Sequence, residues 1–258
     1  MKIAVCVKQV PDTESRIRMG PDGKSIAEGD INWIVSPYDE FAIEEALRIK
    51  EKAGGEVVLL CLGPDRAQSA LRSGLAMGAD AALHLKDALF DGADTMGVAR
   101  ALAAALKGLG ADLVFMGQLG VGGDNAQVPG LVAEMLDLPQ VTMAVKVEVQ
   151  DGQATIEREI EGAHEVWQTS LPAVVSAQKG LNEPRYASLK GIMAAKKKTI
   201  EVKDAAALGV SAEDLQPLTQ VVAMELPPAR PAVRLIEGDP DTQARELLRL
   251  LHEEAKVI

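Results

Sequence analysis

The feature that most constrains this chain is the alternation, over its first half, of short apolar runs with longer amphipathic stretches. Ile3 to Val7, Glu56 to Leu62, Ala81 to Lys86 and Leu113 to Met116 have the length and composition of buried parallel strands. Helical patterns separate them. Ser36-Pro37-Tyr38-Asp39 reads as a helix start: an N-cap serine, a proline at the first helical position and an acid in the first turn. Ala42, Ile43, Ala46, Leu47 and Ile49 then make one apolar face, and the helix is expected to run to about Lys52. Further helices are predicted over 66–77, 95–106 and from Asn125 or Ala126 to Leu136. Strands and helices that alternate in this way imply a parallel sheet covered by helices.

After Pro139 the pattern changes. Val141 to Gln150 and Ala154 to Ile160 flank Asp151-Gly152, a dipeptide suited to a tight hairpin, and His164 to Thr169 reads as another strand. An antiparallel ribbon is therefore expected on the parallel sheet, with Ala173 to Ala177 as one more buried strand. Residues 180–198 read as a polar, basic loop. Beyond Val202 the periodicity weakens, and Pro217, Pro227, Pro228 and Pro231 predict an extended arm before a last helix over 241–252. The expected division is an α/β domain over 1–202 and an arm with its helix over 203–258. Val221, Val222, Met224 and Leu226 give the arm apolar residues that either its own domain or a second chain would cover.

Composition narrows the function classes. The chain has 258 residues, 47% hydrophobic and 25% charged, so a sizeable core is expected and global disorder is not. No apolar run approaches the roughly 18 residues of a membrane-spanning helix. A strand that starts beside Met1 leaves no space for a leader peptide, and a cytoplasmic location is expected. Cys6 and Cys61 lie in apolar runs and read as buried thiols. A net charge of -11 argues against nucleic-acid binding, and His84, His164 and His252 have no metal or triad spacing. Glu157, Glu159 and Glu161 alternate along a strand and read as a solvated face.

The richest site candidate is the loop Gly117-Gln118-Leu119-Gly120-Val121-Gly122-Gly123-Asp124-Asn125, between a predicted strand and a predicted helix. Glycines let a ligand approach the backbone, and the following helix start favours an anion such as phosphate. The loop lacks the Lys-Ser/Thr of a P-loop and the third glycine of the dinucleotide fingerprint. Asp124 suits a capping, ribose or adenine role. Residues 6–13 and 36–39 are placed to converge on this loop over the carboxyl end of the sheet, where open α/β sheets bind ligands. A second candidate is Arg185-Tyr186-Ala187-Ser188-Leu189-Lys190-Gly191-Ile192-Met193 with Lys196-Lys197-Lys198. There Leu189 would be an apolar anchor in a basic rim facing an acidic partner.

These blocks resemble the β subunit of electron-transfer flavoprotein over nearly the whole chain. The likeness runs from Val5-Cys6-Val7-Lys8 through Ser36-Pro37, Ala76-Met77-Gly78-Ala79-Asp80 and the Gly117 loop. It continues through Ile156-Glu157-Arg158-Glu159-Ile160-Glu161-Gly162, Leu171-Pro172-Ala173-Val174-Val175-Ser176 and Leu181-Asn182-Glu183-Pro184-Arg185-Tyr186. Ala163 and Trp167 depart from the family pattern. The resemblance implies a Rossmann-like fold of the adenine-nucleotide α-hydrolase type, with a C-terminal arm on an α subunit that holds most of the FAD. It implies AMP in this subunit, with contacts at Cys6, Ser36, Pro37, Tyr38, Asp39, Leu62 and from Gly117 through Ala126 and Gln127 to Val128. Thr13 falls near the flavin. Partner binding falls on Glu159, Arg185, Tyr186, Leu189, Ile192, Met193, Lys196, Lys197 and Lys198, with Glu159 and Arg185 as a supporting pair.

The implied role is an electron carrier rather than an enzyme, between acyl-CoA and related dehydrogenases and a membrane quinone oxidoreductase. An electron-bifurcating form with a second FAD and an NADH site in this subunit is the nearest alternative, and Asn125 and Pro129 favour AMP over it. A free-standing adenine-nucleotide module of the universal-stress type would account for the α/β half but not for the 185–198 segment. An ATP pyrophosphatase-like ligase lacks its Ser-Gly-Gly-x-Asp-Ser loop here.

Overall fold

A computed structural model describes residues 1–258 as two compact units, Met1–Ala223 and Met224–Ile258. In the first unit the chain runs β1 (Lys2–Cys6), β2 (Gln9–Pro11), β3 (Trp33–Val35), α1 (Pro37–Ala53) and β4 (Glu56–Leu62). It continues through α2 (Gln68–Met77), β5 (Ala81–Leu85), α3 (Thr95–Leu109), β6 (Leu113–Gly117) and α4 (Val128–Leu136). The ribbon follows as β7 (Gln140–Gln150), β8 (Gln153–Ile160) and β9 (Ala163–Ser170). Last come β10 (Ala173–Ala177), α5 (Leu189–Lys197), β11 (Ile200–Lys203) and α6 (Ala205–Leu208).

One nine-stranded sheet organises the unit, in the order β11-β5-β4-β1-β6-β10-β7-β8-β9. The strands from β11 to β7 pair in parallel, and β7, β8 and β9 pair antiparallel as the Asp151-Gly152 turn predicts. This is the expected α/β fold, a mostly parallel Rossmann-like sheet with an added ribbon. The period of two along each strand divides the core between the two faces. Ile3, Val5, Leu59 and Phe115 pack with Ile43, Leu47 and Leu71 of α1 and α2. Ala4, Leu60, Val114 and Met116 pack with Leu102, Leu106 and Val132 of α3 and α4.

The chain leaves β1 toward β4 on one side, whereas β6 leads to β10 and β7 on the other. The topological switch point therefore lies between the carboxyl ends of β1 and β6, where an open sheet of this kind leaves a crevice.

Three expectations need correction. The basic loop predicted over 180–198 contains a helix, α5, whose N-cap Ser188 accepts a hydrogen bond from Gly191 N–H at 3.0 Å. Its large apolar residues, Leu189, Ile192 and Met193, face solvent and only Ala195 is buried, so no core-facing stripe marks it in the sequence. The first unit ends at Ala223 rather than after Val202, because β11 pairs with β5 and Ala205 and Leu215 are buried beside α3. Finally, α4 begins at Val128, since Asp124 and Ala126 adopt left-handed backbone angles that a helix does not admit.

The second unit contains α7 (Pro240–Arg249), continued by a π-helical stretch over Leu250–Ala255. Asp239 caps α7 by accepting from Thr242 N–H at 3.0 Å, and none of its residues is buried.

Leu59 lies fully buried in a central strand, between α1 and α2. Leu59→Ala is expected to lower stability by about 2–5 kcal/mol, measured as a reduced urea midpoint at unchanged slope. A loss under about 1 kcal/mol would show that the site is not packed as described.

Candidate functional site

The switch point opens into a cleft of about 710 Å³. A ligand cavity usually holds about 300–1,000 Å³, so a nucleotide-sized molecule fits. Cys6, Val7 and Lys8 at the end of β1, Leu62 to Asp65 after β4, and Gly117 at the end of β6 form its base. The glycine loop and the start of α4 form one wall, and the segment from Lys86 to Thr95 with the first turns of α3 forms the other.

Asp39 holds the base together. Its Oδ2 accepts from Lys8 N–H at 2.6 Å and its Oδ1 from Gly117 N–H at 2.8 Å, so one carboxylate ties the ends of β1 and β6 to the first turn of α1. A Cβ on Gly117 would collide with Asp39 Oδ1 and lie 2.7 Å from Tyr38 Cβ, which only glycine avoids. Burial pushes the Asp39 carboxyl up to about 7, although the two N–H groups and the Lys8 charge pull it down. Burial likewise raises both thiols, Cys61 to about 12, so Cys6 and Cys61 stay protonated and unreactive.

Cys6, Asp39, Leu62, Gly117, Leu119, Gly120, Gly123, Asp124, Asn125, Ala126, Gln127 and Val128 all line the cleft. Ser36, Pro37, Tyr38, Gln118, Val121 and Gly122 do not. Ser36 makes no side-chain cap; its hydroxyl donates to Leu119 C=O at 3.4 Å and steadies the loop instead. Gln118 turns away, its Oε1 accepting from Ser176 Oγ at 2.6 Å and Met143 N–H at 3.1 Å. Asp124 accepts from Gly122 N–H at 3.1 Å, a capping role within the loop. At the start of α4 no side chain caps the helix, which leaves N–H groups for an anion. Lys8 lies in the 6–13 segment expected at the site, but no role for its side chain follows from the sequence, and the Lys86–Thr95 wall is not expected there. Both follow parallel strands directly, and the preference of ligands for strand carboxyl ends is the signal that marks them.

The second candidate region is exposed and attached to the domain by side-chain hydrogen bonds. Tyr186 is 99% and Leu189 84% exposed, with Ile192 and Met193 beside Leu189 on α5. Lys196 and Lys197 are exposed, whereas Lys198 donates through Nζ to Ala79 C=O at the end of α2. Arg72 donates to Ala195 and Lys198 carbonyls and so closes the carboxyl end of α5. The supporting pair differs from the expected one. Arg185 donates to Glu44 at 2.7 and 3.1 Å and also to Glu51, while Glu159 lies on the ribbon opposite His164. Residues 181–185 cross over α1, so the carboxylates within reach of Arg185 belong to that helix. Asn182 donates to Glu45 and Phe41 and extends the same attachment. Burial raises Glu44, but the Arg185 and Arg48 hydrogen bonds outweigh it and hold the carboxyl below its ordinary value.

Residues 24–208 match the model of the electron transfer flavoprotein domain. The chain belongs to the electron transfer flavoprotein family. It is 41% identical over 260 residues to the electron transfer flavoprotein subunit beta of Bacillus subtilis, covering all of both chains. Against the same subunit of Syntrophomonas wolfei it is 42% identical over 258 residues, covering 100% of this chain and 98% of the relative. The Mus musculus subunit beta is 38% identical over 248 residues, with 95% and 96% covered. No helix of the chain is long and apolar enough to cross a membrane.

Asp39 gives the site a testable pH signature. Its folded value of about 7 lies above the ordinary 3.8, so its contribution to stability is complete below about pH 3.8 and is lost as pH rises through about 7. Asp39→Asn removes that titration. The stability of the wild type relative to the variant is expected to fall between pH 4 and 7, by at most roughly 4 kcal/mol at 1.36 kcal/mol per decade, and to level off above. A difference independent of pH in urea titrations would show that Asp39 is not buried as described.

Proposed function

We propose that this chain is the β subunit of a heterodimeric electron-transfer flavoprotein, in which it supplies scaffold, AMP site and docking helix while an α subunit holds FAD. The observation that carries the reading is the convergence of Cys6, Asp39, Leu62, Gly120 and the stretch from Gly123 to Val128 on one nucleotide-sized cleft. AMP suits its parts: a glycine loop and an uncapped helix start for the phosphate, and an apolar base for the adenine. The unit from Met224 onward, together with exposed Val221 and Val222, is the arm that packs on the α subunit.

Electrons pass from acyl-CoA and related dehydrogenases to the FAD and on to a membrane quinone oxidoreductase, from a cytoplasmic location. Helix α5 is the dehydrogenase-docking element. Tyr186, Leu189, Ile192 and Met193 form its apolar centre, and Lys190, Lys196 and Lys197 its basic rim. Arg185 acts behind this surface by holding the segment on Glu44 and Glu51. A second reading, the bifurcating form with another FAD and NADH, is favoured by the extension of the cleft along Lys86–Thr95, beyond the residues assigned to AMP.

Nucleotide released by denaturing the purified heterodimer decides between these readings. One FAD and one AMP per heterodimer are expected; two FAD and no AMP would establish the second. For docking, Leu189→Ala is expected to weaken reduction by the partner dehydrogenase about ten- to hundredfold, the equivalent of roughly 1.5–3 kcal/mol of lost burial. The FAD spectrum should stay the same. Unaltered transfer kinetics would remove Leu189 from the contact.

A further inference from the structure

Most of the cleft's carboxylates are occupied by the protein itself, Asp91 being the one that accepts no hydrogen bond and makes no ion pair. Asp87 accepts from Leu89 and Ala205 N–H, both at 3.0 Å. Asp94 caps α3 through Oδ1 and receives Leu218 and Thr219 N–H on Oδ2. Asp39 and Asp124 are held by backbone N–H groups as described above. One of the cleft's two lysines is also occupied, since Lys86 Nζ lies 2.6 Å from Asp65.

Lys8 is the exception. Its backbone N–H is held by Asp39 and its C=O accepts from Ser36 N–H at 2.9 Å, so the residue is fixed at the end of β1. Its side chain lies along the glycine loop and pairs with no carboxylate. A Cβ on Gly120 would stand 2.6 Å from Lys8 Cδ and 2.9 Å from Nζ, and one on Gly123 would stand 3.7 Å from Nζ. The absence of side chains at 120 and 123 thus makes room for an ammonium over the loop. In a chain of net charge -11, a free cation held in a concave site beside exposed N–H groups concentrates positive potential there.

We propose that Lys8 is the phosphate receptor of the cleft and that it selects a nucleoside monophosphate over the uncharged nucleoside. With Lys86 neutralised by Asp65, Lys8 is the one unpaired lysine of the cleft left to meet a single phosphate group. The proposal rests on the nucleotide reading of the cleft and adds the side chain that distinguishes its ligands.

The test is calorimetric titration of AMP and of adenosine into the full chain co-produced with its α subunit, dialysed against charcoal to empty the cleft. The variants are Lys8→Met, which keeps the apolar stem, and Lys8→Arg, which keeps the charge. Wild type is expected to bind AMP at least tenfold more tightly than adenosine. Lys8→Met should reduce that ratio about tenfold, the size of one charge-assisted hydrogen bond, with adenosine affinity unchanged. Lys8→Arg should retain most of the preference. If Lys8→Met leaves the ratio intact, or weakens AMP and adenosine equally, the role of Lys8 is overturned while the AMP site stands. If the wild type binds neither compound, the nucleotide reading and the role of Lys8 fall together.

Discussion

The structure of the cleft depends on one buried carboxylate. Asp39 bonds the backbone N–H groups that follow β1 and end β6, the two strands between which the sheet changes direction. A parallel sheet leaves the N–H and C=O groups beyond its carboxyl edge without ladder partners, and each must be satisfied when buried. Asp39 satisfies two at once, from a helix that also packs Ala42, Ile43 and Leu47 on the sheet. Its ionised form is disfavoured by burial and recovers part of that cost from these N–H groups, which is why it titrates near neutrality. The position of the glycine loop, the reach of Lys8 and the width of the cleft all follow from this junction.

Helix α1 extends that junction to the far side of the unit. Its first turn borders the cleft, and Glu44, Glu45 and Glu51 farther along it attach the segment that leads into α5. Arg185 is bidentate toward both Glu44 and Glu51, a geometry that fixes direction as well as distance. The exposed Tyr186 and Leu189 thus project from a framework held by ion pairs on one side and by the Arg72 and Lys198 hydrogen bonds to main-chain carbonyls on the other. Apolar side chains exposed on a helix held in this way fit the docking role proposed for it.

Much of this was legible residue by residue. Strands such as Glu56–Leu62 and Ala173–Ala177 fall where their apolar runs place them, because burial on both faces leaves a continuous signal. The Asp151-Gly152 turn and the ends of α1 and α2 are equally local. Helix α5 was not legible as a helix, because Leu189, Ile192 and Met193 face solvent rather than the core. Likewise β11, four residues with two facing solvent, exists through its pairing with β5. In the cleft, Cys6, Asp39 and Gly117 were identified from strand ends and the glycine loop, but the inward or outward direction of Ser36 and Gln118 depends on partners at Leu119 and Ser176, distant in sequence from one or other of them.

By itself the sequence determined the class of fold, the order of the strands and helices that build the central sheet, the glycine loop that lines the cleft and the family to which the chain belongs. Those properties rest on periodicity, turn chemistry and short motifs, which are written in neighbouring residues. Only the tertiary structure decided that Arg185 is held by Glu44 and Glu51 rather than Glu159, that the first unit continues to Ala223, and that Lys8 rather than Lys86 carries the free charge of the cleft. Each of these is a choice among charges or apolar residues similar in kind and far apart in the chain. Distance in space makes the choice, and distance is fixed only when the core has closed.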